Sequence, residues 1–88
     1  MWRIEFDPGA VGDFKKLDRP LRTRLFGFLR TRVAALDNPR SICEALSGAR
    51  LGNYWKYPVG EWRIICDMQD ERIVVRVLRI GHRRDVYR

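Results

Sequence analysis

The period of the apolar residues changes once along this chain, and that change restricts the fold more than any other feature. Across residues 21–36, apolar side chains recur as Leu21, Leu25, Phe28, Leu29, Val33 and Leu36, the spacing of a helix with one buried face. Beyond residue 53, aromatic and β-branched residues dominate segments 54–58, 61–67 and 72–80, with Val59-Gly60 and Met68-Gln69-Asp70-Glu71 as the breaks between them. Runs of that length and composition, separated by turn residues, predict a three-stranded antiparallel meander. Helices first and paired strands afterwards define an α+β domain rather than a series of βαβ units.

The start of the chain adds one more strand. Trp2, Ile4 and Phe6 alternate with Arg3 and Glu5, the period-two pattern of a strand with one buried face. Asp7-Pro8 then reads as a helix cap followed by proline at the first helical position, opening a short helix with Val11, Phe14 and Leu17 on one side. Asp18-Arg19-Pro20 repeats the signal for the 21–36 helix, whose other face carries Arg22, Arg24, Arg30 and Thr31. Asp37-Asn38-Pro39 ends that helix, because proline cannot donate to the helical ladder and disfavours helix in the residue before it. Residues 40–53 are the least regular, with a short helical turn expected near 42–46 before a Gly-containing loop. The expected architecture is an N-terminal strand, two antiparallel helices and the meander, with the helices packed on one face of the sheet. All 88 residues fit one domain, since a chain of this length supports a single modest core.

Composition narrows the function classes. A hydrophobic content of 45% excludes a disordered chain. Eighteen Lys and Arg against 11 Asp and Glu give a net charge of +7, which suits nucleic acid but equally an anionic membrane surface or an acidic protein. No run is long and apolar enough to span a bilayer, and the first residues do not read as a signal peptide, so residence in the cytoplasm is expected. Cys43 and Cys66 lack CxxC spacing and nearby histidines, which argues against zinc and, in a reducing compartment, against a disulfide. They read as packing thiols, and no cofactor is called for.

Side-chain alternation sorts the sheet faces. Trp62, Ile64 and Cys66 share one side, and Arg63, Ile65 and Asp67 the other; Lys56 is opposite in parity to Trp55 and Tyr57. With the helices over Trp62 and Ile64, Arg63 faces the open side and the last strand delivers residues 82–88 to the rim of that face; whether Lys56 joins them depends on a strand register that the sequence does not fix. This closing segment, Gly81-His82-Arg83-Arg84-Asp85-Val86-Tyr87-Arg88, combines an imidazole, several guanidiniums and a phenol. The mixture suits phosphate chemistry better than core packing.

The order of elements, the Leu46-Ser47-Gly48 loop, the Gly60-Glu61-Trp62-Arg63-Ile64-Ile65 strand and the Gly81-His82-Arg83-Arg84-Asp85-Val86-Tyr87 ending together resemble the RelE/ParE toxin superfamily of toxin-antitoxin systems, over essentially the whole chain. The resemblance implies a toxin held by a cognate antitoxin. In RelE-like members it implies metal-independent cleavage of mRNA on the ribosome; in ParE-like members, inhibition of DNA gyrase without the nuclease residues; a non-catalytic relative that binds antitoxin or RNA is the third alternative. Lys56, Arg63, Arg83 and Tyr87 match the RelE pattern. Tyr54 stands where a second lysine is often found, and His82 falls where several relatives carry a proton-transferring histidine.

Cleavage by a ribose 2′-oxygen attacking the adjacent phosphate requires removal of one proton, stabilisation of phosphoryl charge and protonation of the leaving 5′-oxygen. Arginines suit the second task, because a guanidinium forks phosphate oxygens and stays charged. Histidine titrates near neutrality and suits the proton steps; Lys56 or Tyr87 would serve there if surrounding positive charge lowers its pKa. The resemblance therefore implies Lys56, Arg63, His82, Arg83 and Tyr87 as catalytic residues. Tyr54, Arg84, Arg88, Arg22 and Arg30 are candidate RNA contacts. Taken singly, each has a plainer role: a solvated charge for Arg63, an edge guard for Lys56, a surface cap for His82, a core cover for Tyr87.

Overall fold

In the computed structural model, residues 1–45 and 54–86 are described. Strand β1 (Arg3–Phe6) leads into α1 (Pro8–Lys15), where the Asp7 carboxylate accepts the Gly9 N–H at 3.4 Å and Pro8 takes the first helical position. Asp18 repeats the device for α2 (Arg19–Gly27), accepting the Leu21 N–H at 3.0 Å. Both helix starts lie where their Asp-containing signals put them.

The single helix expected over 21–36 changes form halfway. After Gly27 the chain continues as a π-helical segment, Phe28–Val33. The Thr31 hydroxyl donates to the Gly27 carbonyl at 2.6 Å, competing for the acceptor that an α-helical amide would use, and Ala34 N–H reaches back five residues to Leu29 at 2.9 Å. Leu25, Leu29 and Val33 nevertheless stay fully buried. Leu29→Ala should cost about 2–5 kcal/mol, the usual range for an emptied leucine site; a chemical-denaturation midpoint unchanged from wild type would show that this segment is not part of the core.

The α1 face is rotated from expectation. Ala10, Asp13 and Phe14 are buried and Leu17 packs at the core margin, but Val11 is exposed. Asp13 explains the rotation: its carboxylate turns inward to accept the Ile80 N–H at 2.8 Å and the Arg79 Nε at 2.8 Å.

The meander forms as antiparallel β3 (Tyr54–Val59), β4 (Trp62–Gln69) and β5 (Val74–His82). Its first turn is Gly60-Glu61 rather than Val59-Gly60, since Val59 pairs with Trp62. Gly60 has φ +61, a backbone conformation that calls for glycine. β1 lies parallel to β5 on its other side, and a two-residue strand, β2 (Glu44–Ala45), extends the far edge against β3. The sheet order is β1-β5-β4-β3-β2.

Strand β2 corrects the helical turn expected near 42–46. The turn lies earlier, as a 3₁₀ segment over Pro39–Ile42 capped by the Asn38 side chain on Arg40 N–H at 3.1 Å. It is tied to the sheet by the fully buried Tyr57, whose hydroxyl donates to the Pro39 carbonyl at 2.5 Å. The Leu46-Ser47-Gly48 loop lies outside the described residues.

The helices cover the face bearing Tyr57, Ile64, Cys66, Met68, Val75, Val77 and Ile80, all buried with Leu25, Leu29 and Val33. One irregularity interrupts the ladder: Ile65 pairs with Arg79 and Cys66 with Val77, leaving Leu78 as an extra residue on β5. Both cysteines are free thiols; burial pushes Cys43 and, more strongly, Cys66 above the ordinary thiol range. No described helix is long and apolar enough to cross a membrane.

Candidate functional site

The register places Tyr54, Lys56 and Pro58 opposite Asp67, Ile65 and Arg63, so these six positions share the sheet face away from the helices. Lys56 and Arg63 thus belong to one surface, the register settling what alternation leaves open. Arg63 is flanked in the sheet by Pro58 on β3 and Gly81 on β5, neither of which carries a long side chain. Its Nη1 donates to the Gly60 and Trp62 carbonyls at 3.0 and 2.9 Å, which lays the guanidinium along the β3–β4 turn. Lys56 is largely covered, with a side chain 12% exposed and Nζ 3.6 Å from the Glu44 carboxylate. The unforeseen β2 therefore supplies the countercharge of a candidate site lysine.

His82 does not join this face. It pairs with Trp62, one step from the Arg63–Gly81 pair, so alternation turns it to the Trp62 side, where the two rings meet edge to face at 5.6 Å. Its Nε2 lies 3.3 Å from Glu61 Oε2, and its Nδ1 accepts the Arg84 N–H at 3.2 Å. A neutral ring with its proton on Nε2 satisfies both bonds.

After His82 the chain turns into α3 (Arg83–Val86), whose first N–H donates to the Glu61 carbonyl at 2.7 Å. Arg83 and Arg84 are exposed. Glu61 emerges as the organiser of this corner: its hydrogen bond to His82, with the charges of Arg83 and Arg84, holds its carboxyl below the usual carboxylate range. Sequence reading missed it by assigning Glu61 to the strand. A two-residue turn, with glycine at its first position, was the available signal.

Tyr87 and Arg88 lie outside the described residues. Arg22 and Arg30 share a surface, but a different one. With Arg19 they line a groove on the outer side of α2 and the π-helical segment, in the layer opposite the face of Arg63.

A family described as the ParE toxin of type II toxin-antitoxin systems (parDE) matches residues 4–87. No curated protein matches the chain. Among solved structures, an Escherichia coli RelE toxin carrying two arginine-to-alanine substitutions, in the free state, superimposes with a TM-score of 0.74 at 27% identity, covering 98% of this chain and 90% of that one. The toxin-antitoxin complex RelBE2 from Mycobacterium tuberculosis gives a TM-score of 0.81 at 21% identity, covering 92% and 90%. The intact E. coli RelBE complex gives 0.72 at 20%, covering 93% and 96%. At those identities the last two similarities are of fold alone. The chain belongs to the ParE toxin family of type II toxin-antitoxin systems, within the RelE/ParE superfamily that its motifs resemble, and is a toxin of that class.

Proposed function

We propose that this toxin is a metal-independent, ribosome-dependent mRNA endoribonuclease. The observation that carries the reading is Lys56 and Arg63 on the sheet face away from the helices, with α3 placing residue 83 beside the turn that Arg63 spans. Arg63 and Arg83 bind the scissile phosphate and stabilise the charge that grows on it as the 2′-oxygen attacks. Lys56 or Tyr87 carries the proton steps. His82, bonded through both ring nitrogens, ties α3 to Glu61 and acts on the position of Arg83 rather than on substrate. Tyr54, on the same face as Lys56, together with Arg84 and Arg88, contacts the message. The partner that silences the free toxin is a cognate antitoxin; a variant E. coli RelE with 26% identity has been solved with an antitoxin RelBc peptide.

Gyrase inhibition is the second reading, favoured by the ParE description of the matching family. Mapping the 5′ ends of a translated message after induction separates them. Codon-phased cuts confined to translated regions are expected. Intact messages together with inhibited gyrase supercoiling would overturn the nuclease reading in favour of the second.

A further inference from the structure

Four of the thirteen described arginines are held in ion pairs with carboxylates. Arg40 pairs with Asp70 at 2.7 Å, Arg72 with Glu5 at 3.1 Å, Arg76 with Asp7 at 2.7 Å and Arg79 with Asp13 at 2.8 Å. Arg19, Arg22 and Arg30 are among the described arginines that no carboxylate pairs with, and they lie in a stretch without acidic residues between Asp18 and Asp37. They converge on one groove of about 600 Å³, together with Thr23, Thr31 and Phe26.

Phe26 sits within this cationic frame and is 39% exposed. One side of its ring stacks on Phe14 at 4.6 Å and 19°, with Phe6 at 5.2 Å behind. An exposed aromatic surface that already continues a stack, ringed by unpaired guanidiniums, has the two elements of single-strand recognition: a platform for an unstacked base and cations for the flanking phosphates. A duplex presents its phosphates outward and keeps its bases stacked, so it would engage the arginines and leave the ring unused. An acidic peptide would do the same.

We propose that the groove of Arg19, Arg22, Phe26 and Arg30 is a second RNA-binding site that seats one unstacked base of a single-stranded segment against Phe26. It lies in the helical layer, away from the face of Lys56 and Arg63. The inference rests on the reading that RNA is the target of this toxin, but not on cleavage.

The probe is a short fluorescein-labelled 2′-O-methyl oligouridylate, which has no free 2′-hydroxyl to attack, read by anisotropy with the full chain. Arg22→Ala combined with Arg30→Ala should weaken binding at least tenfold and lower the salt slope by about 0.7 per arginine removed. Phe26→Leu keeps an apolar contact for Phe14 and should weaken the single strand severalfold while leaving an RNA duplex of equal length unaffected. Circular dichroism matching wild type establishes that both variants are folded. Unchanged single-strand affinity in either variant overturns the proposal, as does competition by duplex or by polyglutamate equal to that of the oligouridylate. A wild-type chain that binds the oligouridylate through this groove yet leaves messages intact refutes the nuclease reading and upholds the groove.

Discussion

Replacing Arg83 by alanine should lower codon-phased cleavage by about 10²-fold or more, the scale on which a lost transition-state donor acts. The side chain is exposed at the start of α3, so its loss should leave the fold intact; the segment is anchored by the backbone N–H of residue 83 on the Glu61 carbonyl at 2.7 Å, a bond alanine keeps. Rate and stability are thus separable in this variant. Single-turnover cleavage on programmed ribosomes measures the first and thermal denaturation the second. Cleavage within a few-fold of wild type would remove Arg83 from the chemistry and leave Arg63 to hold the phosphate alone.

The largest stability effect outside the apolar core is expected at Asp13. It is 8% exposed, and its oxygens accept the Ile80 N–H at 2.8 Å and Arg79 at 2.8 and 3.2 Å. Asp13→Ala strands a buried amide and an arginine together, at a cost of about 2–3 kcal/mol, below the full penalty of a broken buried pair because Arg79 is largely solvated. For a domain of this size the melting temperature should fall by about 4–8 °C per kcal/mol. A fall of only a degree or two would mean that water replaces the carboxylate.

The same carboxylate sets an acid dependence. Burial alone would raise the Asp13 carboxyl, but the bonds from Arg79 and the Ile80 N–H, with the charges of Arg79 and Lys16, hold it below the ordinary value. A group lowered in the folded state stabilises fully above its unfolded pKa of about 3.9 and loses that stabilisation as pH falls through the folded value. Asp13→Asn should therefore show a shallower loss of stability below about pH 4 than wild type. Asp13 also reaches the function: it grips β5 at residues 79 and 80, just before His82 and Arg83.

What could be read without coordinates follows the range of the interactions involved. Asp7-Pro8 and Asp18-Arg19-Pro20 mark helix starts because a cap is made within three residues of its own position. Alternation separated Lys56 from Trp55 and Arg63 from Trp62 because pleating is a property of each strand alone, but setting Lys56 and Arg63 on one face took the register of β3 on β4. The two residues of β2 carry no alternation long enough to detect, and they exist because Tyr57 and Lys56, far along the chain, hold Pro39 and Glu44. The π-helical turn depends on one threonine hydroxyl taking one carbonyl. His82 was assigned to the Arg63 face because its side depends on the summed register of two strands, where a single inserted residue reverses the outcome.

That inserted residue, Leu78, sets the phase of everything after it. Were β5 to continue in the register of Cys66 with Val77, Arg79 would stand opposite Ile64 inside the core, Ile80 would face solvent opposite Arg63, and His82 would swing to the open face. The spacing of the β5 residues in the core under the helices, Val75 and Val77 two apart and then Ile80 three further on, records the slip. One added position thus sends an arginine outward to Asp13, keeps an isoleucine inside, and clears a glycine-floored berth beside Arg63. In a chain this short, the geometry of the proposed cleavage face is counted out by the length of one strand as much as by the chemistry of the residues upon it.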